Sequence, residues 1–492
     1  MLSKPVPLAL AMLVAAAFAA PQALAQAAAP AAPKQASAKP AGTLQKITLT
    51  TGIKDGKMVF LDAKGQANPT LKAKVGDTIE ITISSGEGAQ HDIVFPELNV
   101  HSAHFDKSTG PAKLRFKVTR AGTFEYYCTI SGHRQVGMEG KFEVTGGSGA
   151  APVVAAAPRA AAPRHAIDYA ETTPIQGALP AVSVSMDPNA VPAPIGKRPA
   201  QTVKYRVETV ELVGKLDDNT SFTYWTFGRK VPGPMLRVKA GDTVEFTLAN
   251  SKDSKMIHSI DFHATTGPGG GAAFLQVPPG VEKTISFKAL NPGLYVYHCA
   301  TPSVPEHISA GMYGMILVEP EGGLPKVDRE FYVMQGDIYT KHKTGTKGHQ
   351  PFDYEKLMAE LPDYFVFNGA VGALTKEHKM EVKVGETVRI YFGVGGPNKI
   401  SSFHVIGEIF DRVYTEASTS APRENVQTTT VPPGGAAIVE MKVEYPGHYV
   451  LVDHALSRVG KGAAGVLQVV GPKDAGVYRD HGDGAVDGPM AH

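Results

Sequence analysis

The chain has 492 residues, which predicts about three domains, because a single hydrophobic core stops growing at roughly 250–300 residues. Hydrophobic residues make up 43% of it, as in ordinary globular proteins, and 52 glycines and 37 prolines indicate many turns and some low-complexity linker. The net charge of +2 and the lack of a basic cluster interleaved with aromatic residues argue against nucleic-acid binding.

The chain begins with the pattern of an export signal. Lys4 precedes an apolar run over residues 8–20, and Ala23-Leu24-Ala25 offers a small-residue cleavage site. We therefore predict a signal peptide at residues 1–25. A retained membrane anchor is the alternative, but the run is shorter than a spanning helix needs. No other stretch predicts a span, so the mature protein is expected to have none.

The two cysteines, Cys128 and Cys299, are few for an exported protein. A disulfide between them is one interpretation. Each cysteine, however, lies in its own copy of the same local pattern, so both are predicted to be thiolates kept for chemistry.

Three stretches of the chain repeat one another. "VGDTIEITI", "AGDTVEFTL" and "VGETVRIYF", from residues 75, 240 and 384, are the same alternating strand, and a histidine, a Gly-aromatic strand and a Gly-x-x-Gly strand follow each. Short alternating strands with regular turns predict an all-β fold of consecutive Greek-key β-sandwiches. The predicted segments are a disordered Ala/Pro linker 26–43, domains 44–146, 195–325 and 326–473, a linker 147–194 and a tail 474–492.

The first two copies each combine two histidines, a cysteine and a methionine, with C-x4-H-x4-M and C-x7-H-x4-M spacing. Two imidazoles, a thiolate and a thioether on strands and loops are typical of a blue-copper electron-transfer site. The alternative, a chance cluster of core residues, is harder to sustain because the set occurs twice. The predicted type 1 ligands are His91, Cys128, His133 and Met138 in copy one and His258, Cys299, His307 and Met312 in copy two.

The third copy lacks such a site. Asp453 stands where the other copies have cysteine, and Ala463 where they have methionine. This copy keeps His404 in the pattern and adds His454 directly after Asp453.

Side-chain alternation along a strand explains the adjacent pair His298-Cys299. If Cys299 faces inward, His298 faces outward, and His263, five residues after His258, also takes the outward face together with Asp261. Copy one has Tyr127 and Pro96 at the positions of His298 and His263. Two outward imidazoles need a third ligand, and copy three offers His404 or His454. Three histidines with one open position predict a catalytic metal site.

At this point the sequence resembles the copper-containing nitrite reductases that carry an additional N-terminal cupredoxin domain. The resemblance covers about residues 195–473 for the reductase and 44–146 for the extra domain. The motifs that support it are "YWTFGRKVPGPMLRVKAGD", "IHSIDFHATTG", "YHCATPSVPEHISAGMYG", "VFNGAVGALT", "SSFHVIGEIFD" and "LVDHALSRVGKGAAG".

The resemblance implies type 1 copper at the second of the two sets above and type 2 copper on His263, His298 and His454, the last from a neighbouring subunit of a homotrimer. It implies that Asp261 and His404 bind and protonate nitrite and that Ile406 shapes the pocket. Thr428 stands where some members carry a glutamate of the proton supply.

The implied reaction is the one-electron reduction of nitrite to nitric oxide in the periplasm, with two type 1 coppers and one type 2 copper per chain. A cytochrome c or cupredoxin is the expected donor, and the N-terminal copper the expected first acceptor. A multicopper oxidase, which needs H-x-H pairs that this sequence lacks, and a non-catalytic electron carrier are the alternatives. A zinc hydrolase would leave the adjacent type 1 site idle.

Overall fold

A computed structural model describes residues 42–54, 57–130, 133–134, 137–146, 181–479 and 481. The predicted signal peptide, nearly all of the Ala/Pro linker, most of the second linker and most of the tail lie outside these residues. No helix within the described ranges is long and apolar enough to cross a membrane.

The N-terminal domain is a sandwich of two sheets, ordered β2-β1-β4-β7 and β3-β9-β8-β5-β6. Alternation drives its strands: Ile79, Ile81 and Ile83 point into the core while the residues between them stay partly exposed. A 3₁₀ turn covers Pro96–Leu98. The strands are β1 Leu44–Lys54, β2 Lys57–Asp62, β3 Leu71–Lys74, β4 Thr78–Ser84, β5 Val94–Phe95, β6 Val100–His101, β7 Ala112–Lys117, β8 Gly122–Tyr127 and β9 Glu139–Thr145.

The second domain repeats this plan with sheets β15-β13-β10-β11-β19 and β12-β17-β16-β14. It also contains a 3₁₀ turn (Pro268–Gly271) and the short helix α1 (Val304–Ser309). Its strands are β10 Thr202–Asp217, β11 Thr220–Phe227, β12 Leu236–Lys239, β13 Thr243–Asn250, β14 Asp261–Phe262, β15 Glu282–Lys288, β16 Gly293–His298 and β17 Tyr313–Glu319.

The third domain has sheets β20-β18-β22-β27-β24-β25 and β21-β29-β28-β23-β26. Helix α2 (Tyr354–Met358) and a 3₁₀ turn (Leu456–Lys461) complete it. Its strands are β18 Arg329–Ile338, β20 Tyr364–Phe367, β21 Met380–Lys383, β22 Thr387–Gly396, β23 Ser401–Ile406, β24 Phe410–Tyr414, β25 Arg423–Val426, β26 Thr429–Val431, β27 Ala436–Lys442, β28 Gly447–Asp453 and β29 Ala464–Val470, and β19 Gly348–Gln350 joins the second domain's sheet.

The same parallel pairing recurs in all three domains. The first long strand, β1, β10 or β18, lies parallel to the strand of the repeated motif, β4, β13 or β22. The predicted all-β fold of three consecutive sandwiches is therefore confirmed.

Two details differ from the predicted segmentation. Residues 181–194, predicted as linker, pack on the core: Val184 is fully buried, and Val182 and Ser185 form β-bridges with Gly214 and Val231. Strand β19 belongs by sequence to the third segment but pairs with β11. The second and third domains also share one cluster of buried residues, so they form a continuous body.

Candidate metal centres

The core of the second domain brings together His258, Cys299 and His307. The Nδ1 atoms of the two histidines are 3.3 Å apart, and the Cys299 Sγ lies 3.2 Å from His307 Nδ1. All three side chains are buried, and their ligand atoms lie within 4.8 Å of one another. The Met312 side chain is also buried.

Short connections around α1 set this arrangement. Cys299 follows β16, His307 lies in α1, and Met312 leads into β17. The Cys299 amide donates to the Met312 carbonyl at 3.1 Å, and the Met312 amide donates to the His307 carbonyl at 3.1 Å. The backbone itself therefore places all three residues around one point.

The N-terminal domain contains the same arrangement. Cys128 Sγ lies 3.9 Å from His91 Nδ1 and 3.5 Å from His133 Nδ1, and all three side chains are buried. The Cys128 amide donates to the Met138 carbonyl and the Met138 amide to the His133 carbonyl, at 3.2 and 3.0 Å. The structure thus brings together the two histidines and the cysteine of each predicted type 1 set.

The donor chemistry of both clusters fits copper. A thiolate and a thioether suit the cuprous ion and imidazole suits the cupric ion. Burial raises the pKa of the Cys299 thiol, but the His307 and His258 imidazoles outweigh it and hold that pKa well below its ordinary value. At Cys128, burial, with a smaller effect of Asp92, raises the thiol pKa well above its ordinary value. The two thiols therefore lie in different electrostatic surroundings.

Two carboxylates that the sequence reasoning missed hold the outer edges of the ligand histidines. Glu211 Oε1 lies 3.0 Å from His258 Nε2 and also accepts from the Lys255 and Met256 amides, and Glu87 contacts His91 Nε2. Such partners fix the tautomer of a ligand imidazole. Glu87 could have been found, four residues before His91. Glu211 lies on β10, 47 residues before His258, and no short sequence pattern links the two residues.

The outward cluster of the second domain consists of Asp261, His263 and His298. Asp261 and His298 face each other across β14 and β16, and the Nε2 atoms of His263 and His298 are 3.1 Å apart. His298 Nδ1 lies 3.0 Å from the Cys299 carbonyl oxygen, which leaves its Nε2 for the site. Partial burial lowers the pKa of His263, and the His298 imidazole lowers it further. Two imidazoles that converge on one point fit a metal ion.

Gly270 lies directly against the Asp261 carboxylate. Its φ is +52°, and a Cβ atom there would lie 1.8 Å from Asp261 Oδ1. The neighbouring Gly269 has a similar φ of +59°, but a Cβ atom there would meet nothing nearer than 3.9 Å. The "GPGGG" turn therefore needs a residue without a side chain at position 270 for two separate reasons.

We expect Gly270→Ala to reduce the turnover of the site at least about tenfold, because a displacement of about 1 Å in a reacting group costs up to about 100-fold. Gly269→Ala is the matched control, since it adds the same strain of a positive φ without the clash. Steady-state rates for both variants check this. Equal losses in the two would show that backbone strain, and not the position of Asp261, is responsible.

The remaining predicted residues lie on the third domain. The ring centroids of His404 and His454 are 5.6 Å apart, and within one chain the described ligand cluster on Asp261 contains neither of them. His404 Nδ1 lies 2.6 Å from the Gln427 carbonyl oxygen, next to the half-buried Thr428. Ile406 is two residues beyond His404 on β23 and shares its face.

The strand register corrects the predicted equivalence of His404 with the ligand histidines. His404 lies opposite Val452, as Asp261 lies opposite His298 and Val94 opposite Tyr127. His404 therefore occupies the position of Asp261, on the outward face. By the same three-residue offset, the counterpart of His258 is Ser401, which is buried. The two residues predicted to protonate nitrite thus stand at equivalent places in two domains.

Asp453, at the cysteine position of the third domain, organises the loop that carries His454. Its carboxylate accepts from the Ser402 and Ala455 amides and from Gln335 Nε2, each at 3.1 Å, and pairs with Arg458. The Asp453 side chain is fully buried. An ion pair therefore stands where the other two domains have the cysteine of the predicted type 1 set.

Replacing Asp453 with alanine is expected to lower the free energy of unfolding by about 3–5 kcal/mol, because it leaves the largely buried Arg458 without its partner. Calorimetry of the full-length protein would register a fall in Tm. Glu381→Ala removes an exposed carboxylate from β21 and should leave Tm nearly unchanged. A Tm for Asp453→Ala that matches this control would contradict the structural role of the pair.

Comparison with known proteins places the chain in a family. Residues 210–323 match the family model described as multicopper oxidase. The copper-containing nitrite reductase of Neisseria gonorrhoeae is 54% identical over 300 residues, which span 61% of this chain and 76% of that protein. The chain belongs to the copper-containing nitrite reductases. The nitrite reductase of Alcaligenes xylosoxydans xylosoxydans is 37% identical over 294 residues, 56% of this chain and 88% of its own.

A solved structure agrees with this assignment. The copper nitrite reductase from Nitrosomonas europaea superposes with a TM-score of 0.51 at 36% identity, covering 56% of this chain and 95% of its own. The present protein is thus an enzyme of this family. The multicopper oxidase model matches only a stretch within the chain, and the sequence contains no H-x-H pair for a trinuclear cluster.

Proposed function

We propose that this nitrite reductase reduces nitrite to nitric oxide in the periplasm, at a site formed by Asp261, His263 and His298 of one chain and His454 of another in a homotrimer. The observation that carries the proposal is the pair of adjacent, oppositely facing clusters joined by the His298-Cys299 peptide. The buried set of two histidines, a cysteine and a methionine suits electron supply. The outward pair of histidines with a carboxylate suits substrate reduction.

Bound copper would supply the one-electron redox change at both type 1 sets and a Lewis-acid, electron-donating centre at the type 2 set. The side chains of the protein bind the substrate and transfer the protons. The reaction consumes one electron and two protons for each nitrite and releases nitric oxide and water.

Asp261 is placed to hold a nitrite oxygen by hydrogen bond and to hand it a proton, because its carboxylate lies in the same cluster as the two outward imidazoles. His404 supplies the second proton from Nε2, because its Nδ1 faces the Gln427 carbonyl oxygen. Ile406, on the same face, would restrict the space over the site. Some relatives are expected to have a carboxylate at the position of Thr428. In this chain, hydroxyl groups and water would deliver the proton there instead.

A partner chain is needed because the outward cluster is incomplete within one chain. Two histidines leave a catalytic site one ligand short, and His454 is exposed on the third domain, free to meet the His263–His298 face of a neighbour. A cyclic trimer would give each of three identical interfaces one such site.

The proposed activity is tested by supplying nitrite and a reduced donor to the copper-loaded protein without oxygen and following nitric oxide on an electrode. Release of nitric oxide in proportion to the nitrite consumed is the expected result. Absence of nitric oxide from protein with all three metal sites filled would favour a non-catalytic electron carrier.

The N-terminal site is proposed to receive electrons from an external periplasmic cytochrome c or cupredoxin. Cys128→Ser removes its thiolate at nearly constant volume. We expect turnover with a protein donor to fall at least about tenfold, because the tethered site raises the effective concentration of reductant at the core. Turnover with a small-molecule reductant, which does not need docking, should stay near wild type. Equal rates with the protein donor would show that the core accepts electrons directly.

A further inference from the structure

The N-terminal domain and the second domain meet along the edges of their two type 1 sets. A hydrogen bond joins the Gln90 amide to the Lys255 carbonyl oxygen at 3.0 Å, and the Lys255 ammonium lies 3.4 Å from Asp106 Oδ2 and 3.3 Å from Ser108 Oγ. Gln90 directly precedes the ligand His91, and Lys255 is three residues before the ligand His258. The contact therefore runs beside both sets.

The outer edges of two predicted ligand histidines, one in each domain, are buried. His133 Nε2 and His307 Nε2 point away from their thiolates, are inaccessible to solvent, and have no hydrogen-bond partner among the described residues. Trp225 covers part of the His307 ring, with centroids 4.5 Å apart. Trp225 belongs to the buried cluster that continues into the N-terminal domain.

The apolar core is continuous across the same contact. One cluster of buried side chains runs from the N-terminal domain, including Ala89 and Met138, into the second domain, including Trp225 and Met256. Continuous apolar packing excludes water from the space between the two sets and stabilises the docked arrangement. A domain held only by its linker would share no buried cluster with the core.

We propose that this contact is an intramolecular docking surface, through which the N-terminal site passes its electron to the second-domain site of the same chain while it covers the His307 face against external redox proteins. The inference rests on the proposed function and names the route. With copper bound, the set of His91, Cys128, His133 and Met138 would give up one electron, and the set of His258, Cys299, His307 and Met312 would accept it. No bond is made or broken, and no proton moves.

The docked arrangement restricts where an external redox protein can bind. If the N-terminal domain covers the His307 face as proposed, a periplasmic redox protein must dock elsewhere on that domain. Lys255 is half-exposed, whereas Asp106 is 3% exposed, so the ion pair lies at the rim of the contact, where a charge steers docking and register more than it adds affinity.

The docking surface is tested first by zero-length carbodiimide coupling of the full-length protein, which joins a carboxylate to an amine in contact. We expect a peptide that links Asp106 to Lys255, in a band of monomer mass on a denaturing gel. Lys255→Arg is the matched control, because it keeps the ion pair but offers no reactive amine. Absence of the link in the wild type, or its appearance only in bands of dimer mass, would overturn docking within one chain.

The electron route is tested by stopped-flow absorption of the two type 1 sites after mixing with reduced donor protein, using Cys128→Ser to obtain the spectrum of the core site alone. Lys255→Glu should slow reduction of the core site at least about tenfold and leave reduction of the N-terminal site unchanged, because it puts like charges at the rim. Lys252→Glu, the same charge change three residues away on the same loop, should change neither. Unchanged core reduction in Lys255→Glu would overturn the route.

These results separate the inference from the proposed function. Wild-type protein that forms the Asp106–Lys255 link but releases no nitric oxide contradicts the function and leaves the docking surface standing. Protein that releases nitric oxide but forms no link contradicts the docking surface alone.

Discussion

Replacing His454 with alanine is expected to reduce nitric oxide formation at least about 100-fold while the type 1 absorption of both cysteine sites persists, because a catalytic metal site that loses one of three protein ligands no longer holds its ion. His454 is exposed in the single chain, so its removal should not unfold the domain. Metal analysis should show the loss of one copper per chain, and the electrode the loss of turnover.

Subunit mixing tests where His454 acts. His454→Ala and His263→Ala chains are each expected to be inactive, but trimers assembled from both contain interfaces at which an intact His263–His298 pair meets an intact His454. Random assembly from equal amounts makes about a quarter of the interfaces complete. Recovery of about a quarter of wild-type activity would place the site between chains. No recovery, in trimers shown to contain both variants, would place it within one chain and contradict the proposal.

The repeated motifs were sufficient to predict most of the fold and much of the candidate site. Alternation fixes which residues share a face, so the sequence predicted that Cys299 lies inside while His298, His263 and Asp261 lie outside, and the structure brings these residues together in that way. Periodicity also predicted the sandwiches, because turns and alternating strands are local features.

What the sequence missed depends on contacts between distant residues or on exact register. Glu211 reaches His258 from a strand 47 residues earlier, and no spacing rule links the two. His404 was matched to His258 because a histidine follows the repeated strand in each copy, whereas the register matches it to Asp261. The helix around His307 is only six residues long, too short for a helical period to show.

The contact between the N-terminal and second domains lay furthest from prediction. The residues that make it, such as Gln90, Lys255 and Asp106, are ordinary polar residues whose role depends entirely on what they face. The predicted linker indicates that the two domains are tethered, but it does not indicate which faces of the two domains meet. Side-chain alternation describes one sheet at a time, so it cannot orient one sandwich against another.

Asp261→Asn is expected to reduce turnover about 100-fold or more, since a positioned acid or base contributes about 10²–10⁴-fold to a proton transfer. Asparagine keeps the size and the hydrogen-bonding capacity of the side chain but cannot hand over a carboxyl proton. Asp253→Asn, in an exposed loop of the same domain, is the control. The copper content and type 1 absorption should match the wild type. Loss of one copper per chain would instead identify Asp261 as a metal ligand.

His404→Asn extends the same argument to the third domain. The position is equivalent to that of Asp261 by strand register, and its imidazole is oriented by the Gln427 carbonyl, so the variant should lose turnover by a comparable factor with all coppers present. His342→Asn, at an exposed loop position, should have no effect. If either Asp261→Asn or His404→Asn kept turnover within about twofold of the wild type, that residue would have no part in proton delivery, since even a modest acid–base contribution exceeds this factor.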